Sequence, residues 1–565
     1  MNQRQDETNV GWPLRPWIMA AICAIAGLLV HLLTDHRYVD PLAAWRQAGA
    51  TFVVIATVGF VLTVERRRWL WSLYFALGWG IVIASVGWFT AGYNRNPTIF
   101  EWPFLSGIFA VLLAAPLFQT MRDEGARTLP YRRLHGHAWT DAVIGAASLV
   151  FVGISFALAW LIAGLFNLIG IKAIEKLLEE DWFGWMLAGF AFGAAVGLLR
   201  ERDALVETLQ RLVIVVLSVL APVLAVALVA FLASVPFTGL DELWESTIPA
   251  TPLMLVAAAG AILLANAVFG NGEEDKPANR VLRYAALALV LTVLPLAIIA
   301  AISLGQRIGQ YGWTPERIWG VFAVGVAIVY GVAGWWSVAK GRANFDGLLR
   351  PLQTRMALGL CGVALFLALP ILDFGAVSAS SQMARLGNGT VAPHEFDWKA
   401  MAFDFGPSGR NRLAAIARAG SPDQRRQASA ALAAKDRYVV DEQMLRIESK
   451  AKFATHLRVI PEGAVLSPQM RTELVESPFC RQGPCVAVPL DDHRAIIVGS
   501  GGDQRPLEVW TLILDDKGKR APNAENATLP KTSVRPNLAT ATIEVRKVER
   551  RQLYVDGKPV GAEFE

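Results

Sequence analysis

The residue types best suited to binding a ligand lie together in one short segment, Gln306–Arg317. Arg307 and Arg317 carry guanidinium groups, whose planar fork of N–H donors matches the oxygens of a phosphate. Thr314 followed by Pro315 is typical of a helix start, where free backbone amides attract an anion. The candidate anion site consists of Arg307, Gln310, Tyr311, Thr314 and Arg317. The same residues also fit an ordinary capped helix start with interfacial side chains.

Carboxylates occur as small groups in short loops. Asp35 and Asp40 share one loop, and two further acidic loops span residues 175–181 and 241–245. Paired carboxylates can hold a metal or act as a base, but solvated loop charges explain them equally simply. The sequence contains no Gly-rich phosphate loop, His-Glu-x-x-His, Gly-x-Ser-x-Gly or Cys-x-x-Cys motif. We therefore predict no metal and no cofactor, and leave catalytic residues unassigned.

Cys480 and Cys485 flank a Gly-Pro pair in the polar C-terminal part of the chain. A tight turn between them favours a small disulfide loop, and disulfides persist outside the cytosol. Half of a metal site is the alternative, since structural zinc sites use four ligands. Cys23 and Cys361 lie in apolar segments, where a thiol behaves as a small apolar group. We predict a Cys480–Cys485 disulfide.

Long apolar segments make up most of the chain. Apolar residues account for 54% and charged residues for 18% of its 565 residues. About eleven segments are long enough to cross ~30 Å of hydrocarbon as helices, which satisfy their own backbone hydrogen bonds. The predicted spans are 17–34, 47–64, 69–90, 100–120, 141–169, 182–199, 212–237, 251–270, 281–304, 317–339 and 357–374. The sequence predicts an α-helical polytopic membrane protein, with a transmembrane domain over 1–374 and a soluble domain over 375–565.

Basic residues are concentrated in every second loop between the predicted spans. Arg66–Arg68 is the densest example, and the alternate loops are poor in Lys and Arg. The positive-inside rule puts the basic loops and the N-terminus in the cytoplasm, and the C-terminal domain outside. This pattern accounts for the net charge of +5 without a nucleic-acid partner. We expect a multi-pass protein of the bacterial inner (plasma) membrane with a periplasmic C-terminal domain.

The interiors of the predicted spans carry no Asp, Glu, Lys or Arg deep inside them. Charged groups within a bilayer are costly and usually mark ion or proton paths. The polar candidates are Asn167 and Asn266, which fit hydrogen bonds between helices as well as contacts to a substrate. This pattern counts against an ion-coupled transporter.

The C-terminal domain is predicted to be α+β, helical first and rich in strands later. The segments 407–419 and 422–435 have helical spacing, and Ser421 before Pro422 fits an N-cap. The predicted strands are 494–498, 507–514, 540–548 and 552–555. Asp556-Gly557 between apolar residues indicates a hairpin.

Three features of the chain resemble one family. They are the many-span layout, the segment Arg307–Arg317 at the start of a late span, and a passage after the last span. That passage includes Asp373–Ser378, Arg385–Leu386 and Phe403–Gly406. On these features the chain is similar to the bacterial membrane-protein family catalogued as domain of unknown function 4153. The resemblance supports the architecture and marks Tyr311, Thr314 and Arg317 as positions to test, but implies no reaction, substrate or cofactor.

Three classes of function fit these observations. The first is an envelope scaffold whose outer domain binds a partner protein while the spans contact membrane lipids; it explains the absence of catalytic motifs. The second is an enzyme acting on a lipid-linked phosphate at the outer face, with Arg307 and Arg317 clamping the phosphate. The third is a transporter or lipid flippase. The sequence favours the first.

Overall fold

The computed structural model describes residues 12–35, 43–91, 101–125, 129–239, 249–270, 279–435, 437, 439–440, 453, 456–476, 484–499, 508–515, 526–528, 538, 551–555 and 558–564. Helices fill the first part of the chain. They are α1 (Arg15–Thr34), α2 (Ala44–Thr63), α3 (Trp69–Phe89), α4 (Trp102–Glu124), α5 (Tyr131–Leu168), α6 (Ala173–Glu179), α7 (Asp181–Arg200), α8 (Asp203–Thr238), α9 (Ala250–Phe269), α10 (Arg280–Tyr311), α11 (Pro315–Gly341), α12 (Phe345–Ala368), α13 (Phe374–Gly387), α14 (Trp398–Phe403), α15 (Gly406–Ala419) and α16 (Pro422–Ala433).

Eleven of the described helices, α1–α5 and α7–α12, are long and apolar enough to cross a membrane. They correspond one to one with the predicted spans, so that prediction is confirmed. Three helices start much earlier than predicted, by about ten residues: α5 at Tyr131, α8 at Asp203 and α12 at Phe345. Hydropathy marks the part of a helix that lies in hydrocarbon, so it misses polar first turns. The last span ends at Ala368, not at residue 374, because the chain breaks before α13.

The membrane-spanning helices alternate in direction, so their ends meet at two ends of a bundle. At one end Arg15 of α1 donates to the carbonyl oxygens of Val64, after α2, and Arg200, at the end of α7, at 2.7 and 3.3 Å. We call this end, where α1, α3, α5, α8, α10 and α12 begin, the basic end. At the opposite end Arg46 of α2 donates to the carbonyl oxygen of Leu33 on α1 at 2.9 Å. Which end faces the cytoplasm stays a prediction.

Helices α1 and α7 pack so closely that only glycine fits between their backbones. A Cβ atom at Gly189 would overlap the carbonyl oxygen of Cys23, and a Cβ atom at Gly193 would overlap that of Met19. Glycines one turn apart let membrane helices approach closely, so that van der Waals packing replaces the hydrophobic driving force that lipid removes. We call this contact of Gly189 and Gly193 with α1 the glycine seam; it holds α1, the first span, against α7, the sixth span.

The largest buried cluster joins α8–α12. Its side chains are mainly alanine, leucine and valine, and Leu289 and Leu296 of α10 are fully buried. Helix α10 is the most enclosed span, with 56% of its apolar window buried. It is therefore the central helix of this half of the bundle.

A buried ion pair lies at the basic end, where the predicted span 141–169 begins. Asp141 lies about 15 Å along α5, and its carboxylate accepts from Arg200 and from Gln119 Nε2, both at 2.7 Å. The side chains of Asp141 and Arg200 are about nine-tenths buried. Asp141 is the first residue of the predicted span 141–169, which is why hydropathy placed it at a boundary. Because Arg200 is the last residue of α7, the pair lies near the ends of the spans, and it does not contradict the expectation for their interiors.

The chain divides into two compact units, residues 1–391 with 400–412 and residues 392–399 with 413–565. The strands of the second unit are β1 (Leu457–Val459), β2 (Cys485–Pro489), β3 (Arg494–Gly499), β4 (Glu508–Ile513), β5 (Asn526–Thr528), β6 (Arg551–Val555) and β7 (Lys558–Phe564). The first five form one sheet with the order β1-β2-β3-β4-β5, on which α17 (Pro468–Glu476) packs, and β6 pairs with β7 in a separate two-stranded sheet. Met470 and Leu474 of α17 are buried against Ile497 and Leu512 of the sheet.

The predicted helix-then-strand order of the C-terminal part is confirmed. Ser421 caps α16 and forms a capping box with Gln424. Strands β6 and β7 form the predicted antiparallel hairpin, with Val555 opposite Lys558. The predicted strand 540–548 lies outside the described residues. Strands β1, β2 and β5 and helix α17 were missed because they are short and carry weak periodicity.

The glycine seam generates a stability prediction. Gly193→Leu should lower the thermal stability of the purified protein in detergent, since overpacking a tight contact costs roughly 1–3 kcal/mol or more. Gly184→Leu is the matched control on the same helix, because a Cβ at Gly184 meets no atom within 4 Å. Equal melting temperatures for the two variants would contradict the claim that the glycine seam has no room for a side chain at Gly193.

Candidate functional site

The segment with the predicted anion site joins α10 to α11. Helix α10 ends at Tyr311, and Gly312 takes a positive φ of 76° that glycine adopts readily. Thr314 is the N-cap of α11, and its side chain accepts from the Arg317 amide at 3.4 Å. Pro315 occupies the first helical position. The predicted helix start is therefore confirmed.

Helix α13 holds this turn through its backbone. Arg385 donates to the carbonyl oxygen of Gln310 at 2.6 Å, and Gln382 donates to that of Tyr311 at 2.8 Å. A Cβ at Gly312 would lie 2.7 Å from the Arg385 side chain. The sequence analysis did not assign Gln382 or Arg385 to the site. The only indication was that both lie in the passage 373–406, which carries part of the family resemblance.

Three of the five predicted residues meet at one aromatic ring. The guanidinium carbons of Arg307 and Arg317 lie 5.8 and 5.5 Å from the centre of the Tyr311 ring. Arg317 also donates to the carbonyl oxygen of Gly312 at 2.5 Å. Gln310 contributes its backbone carbonyl to Arg385. Binding of an anion by these residues stays a prediction.

The other predicted positions are only partly described. Cys485 opens β2 and is fully buried, whereas Cys480 lies outside the described residues, so the disulfide stays a prediction. Asp35 is the C-cap of α1, while Asp40 and the acidic loop 241–245 lie outside the described residues. Asn266 of α9 accepts from Gln353 Nε2 of α12 at 2.6 Å, the interhelical hydrogen bond that the sequence suggested.

Asn266 and Gln353 also line a cavity of about 720 Å³ that the sequence did not reveal. Five helices line it: α4, α5, α9, α11 and α12. Its wall is mostly Ala, Leu, Val and Phe side chains. Along α12 it extends from Gln353, near the basic end, to Leu367, near the opposite end, a rise of about 21 Å. The cavity is therefore long, narrow and apolar.

The polar groups of this cavity are concentrated near the basic end. Trp139 Nε1 donates to His135 Nε2 at 2.9 Å, and Tyr131 Oη lies 2.9 Å from His135 Nδ1. Because an indole N–H only donates, His135 Nε2 accepts and Nδ1 donates to Tyr131. Tyr131 Oη therefore accepts from His135, and its own hydroxyl hydrogen can be donated to another group. Buried Thr354 lines the same region, and its hydroxyl has no hydrogen-bond partner among the described residues.

The cavity and the α10–α11 turn both lie within one matched region. Residues 50–407 match the family model described as domain of unknown function (DUF4153). The chain belongs to this family. No curated protein and no solved structure matches. The suspected family is therefore confirmed, and the DUF4153 region includes every residue named for the cavity and for the turn, whereas the sheet of the second unit lies beyond it.

The contacts of α13 in the DUF4153 region generate a second prediction. Arg385→Met removes two hydrogen bonds from a charged donor to the carbonyls of Gly309 and Gln310. The 2.6 Å bond to Gln310 should contribute up to about 1.5–3 kcal/mol and the 3.5 Å contact to Gly309 less, so the variant should melt below wild type. Arg410→Met, at an exposed position of α15, is the control. A melting temperature unchanged in Arg385→Met would show that α13 does not stabilise the turn.

Proposed function

We propose that this protein is a lipid-handling membrane protein that holds the apolar chain of a membrane lipid inside its helical bundle. The cavity of about 720 Å³ between α4, α5, α9, α11 and α12 carries this proposal. Its volume falls within the ~300–1,000 Å³ that is usual for small-molecule sites. Its length and apolar wall fit an extended hydrocarbon chain.

Energetics support an occupied cavity. Apolar side chains that face empty space lose the dispersion contacts that neighbouring atoms would supply. An apolar molecule that packs against this wall would therefore stabilise the bundle. Water fills polar cavities but leaves apolar ones dry. Lipid chains are the abundant apolar molecules around a membrane bundle, so they are the natural occupant.

The polar groups near the basic end support a defined orientation of the lipid. Tyr131, Asn266, Gln353 and Thr354 offer hydroxyl and amide groups at that end of the cavity. Arg350 donates to the carbonyl oxygen of Phe269 at 3.0 Å and acts electrostatically on Tyr131. A lipid with its head group at this end would find hydrogen-bond partners for the head group. Its chain, extended along α12, would contact the apolar part of the wall.

The proposal includes a place in the cell. The arginine-rich loops support a multi-pass protein of a bacterial plasma membrane, with the basic end in the cytoplasm and the second unit outside. In that orientation the polar end of the cavity faces the inner leaflet. Capture of an envelope protein by the second unit stays a prediction, since the cavity carries no information about it.

A cavity-filling variant tests the lipid. Val326 lines the cavity on α11, so Val326→Trp should fill part of it and reduce the lipid retained through detergent purification at least several-fold, as measured by native mass spectrometry. Val329→Trp is the matched control, because Val329 is 56% exposed on the same helix and does not line the cavity. Equal retention by the wild type and both variants would contradict the proposal.

Reporter fusions test the orientation. Alkaline phosphatase is active only outside the cytoplasm, so fusion after Glu565 should give an active enzyme and fusion after Arg202, at the basic end, an inactive one. The reverse pattern would place the basic end outside and would move the polar end of the cavity to the outer leaflet.

A further inference from the structure

We propose that Arg307, Arg317 and Arg385 form a second binding site, specific for a phosphate group, around Tyr311 at the end of the bundle opposite the basic end. This site goes beyond lipid binding in the cavity, because none of these four residues lines the cavity. It also enlarges the site that the sequence predicted, since Arg385 comes from α13, after the last span.

Uncompensated positive charge is the first argument. Arg307 and Arg317 both face the Tyr311 ring, at 5.8 and 5.5 Å, and Arg385 donates to the carbonyl oxygen of the preceding residue, Gln310, at 2.6 Å. The three cations are therefore close, and Arg307 and Arg385 repel the Arg317 guanidinium. Among the described residues none of the three forms an ion pair, and Glu316 is the carboxylate that acts on Arg317. Three positive charges beside one exposed carboxylate leave a net positive cluster. A doubly charged anion would remove this repulsion.

Unused hydrogen-bond donors are the second argument. Each guanidinium has five N–H donors. The described hydrogen bonds use one donor of Arg317 and two of Arg385, all to backbone carbonyls. Arg385 Nε is buried and has no partner among the described residues. Arg307 is exposed and faces the Tyr311 ring, and it donates no hydrogen bond to another described residue. The cluster can therefore hold a phosphate without breaking the contacts that fix the turn.

The surroundings are those of a membrane interface. Tyr311 is 52% exposed and Trp313 is 37% exposed beside the cluster, and such rings lie at the head-group level of a bilayer. The amino-terminal end of α11 adds the positive end of its dipole. Phosphate is the common anion of that layer, either in a lipid head group or as a free ion. The arginine fork matches its oxygens in both cases.

Binding of phosphate to the full-length protein in detergent tests the site. All proteins carry Val326→Trp, so that lipid in the cavity does not obscure the result. Phosphatidic acid, diacylglycerol with the same acyl chains, and inorganic phosphate serve as probes, the lipids by native mass spectrometry and the ion by calorimetry. Three proteins are compared: the Val326→Trp background, the same protein with Arg307→Gln, and the same protein with Arg410→Gln. Arg410→Gln is the control, because it also removes one positive charge at an exposed position.

We expect Arg307→Gln to weaken phosphatidic acid at least tenfold, Arg410→Gln to leave it unchanged, and diacylglycerol to show no difference. Competition by inorganic phosphate at similar affinity would assign the site to the free ion, and its absence would assign the site to a lipid head group. An unchanged melting temperature of Arg307→Gln, and partial recovery of phosphatidic acid binding in Arg307→Lys, would show that the substitution removes binding and does not unfold the protein. Equal phosphatidic acid binding by Arg307→Gln and its background, or no binding of either phosphate probe, would overturn the proposal.

Discussion

The carbonyl groups at the ends of membrane helices need hydrogen-bond donors, and arginine side chains supply them throughout this bundle. The last carbonyls of a helix have no partner within it, and lipid offers none. Arg15 donates to Val64 and Arg200, Arg122 donates to Thr63 at 2.6 Å, and Arg350 donates to Phe269. Each bond joins one helix to the carboxyl end of another. Arginines from which the orientation is predicted thus also connect the helices.

The same constraint shapes the opposite end, where arginines are fewer. Arg46 binds the end of α1, and Arg385 binds the end of α10. Because α13 supplies Arg385 and Gln382, the helix after the last span is part of the membrane unit. This explains why the family match continues past the last span, to residue 407. Unlike Arg317 and Arg385, Arg307 donates no hydrogen bond to a backbone carbonyl in the part of the chain that the structure describes.

Hydropathy and turn chemistry were enough to predict the eleven spans, the Thr314 cap and the hairpin at residues 551–564. These features depend on neighbours in sequence. The Asp141–Arg200 pair, the contacts of Arg385 and the cavity were not predictable, because each depends on residues that only the packing of helices brings together. Gly193 and Gly184 look alike in the sequence, yet one sits in a contact that excludes a Cβ and the other faces open space.

Helices α1 and α7 pack closely, whereas a cavity remains between α4, α5, α9, α11 and α12. This cavity is the proposed lipid site. A cryo-electron microscopy map of the full-length protein in lipid nanodiscs tests this claim most directly. The account predicts continuous elongated density along α12 from Gln353 to Leu367, with its widest part beside Tyr131. A cavity closed by side chains, or one free of elongated density, would contradict it.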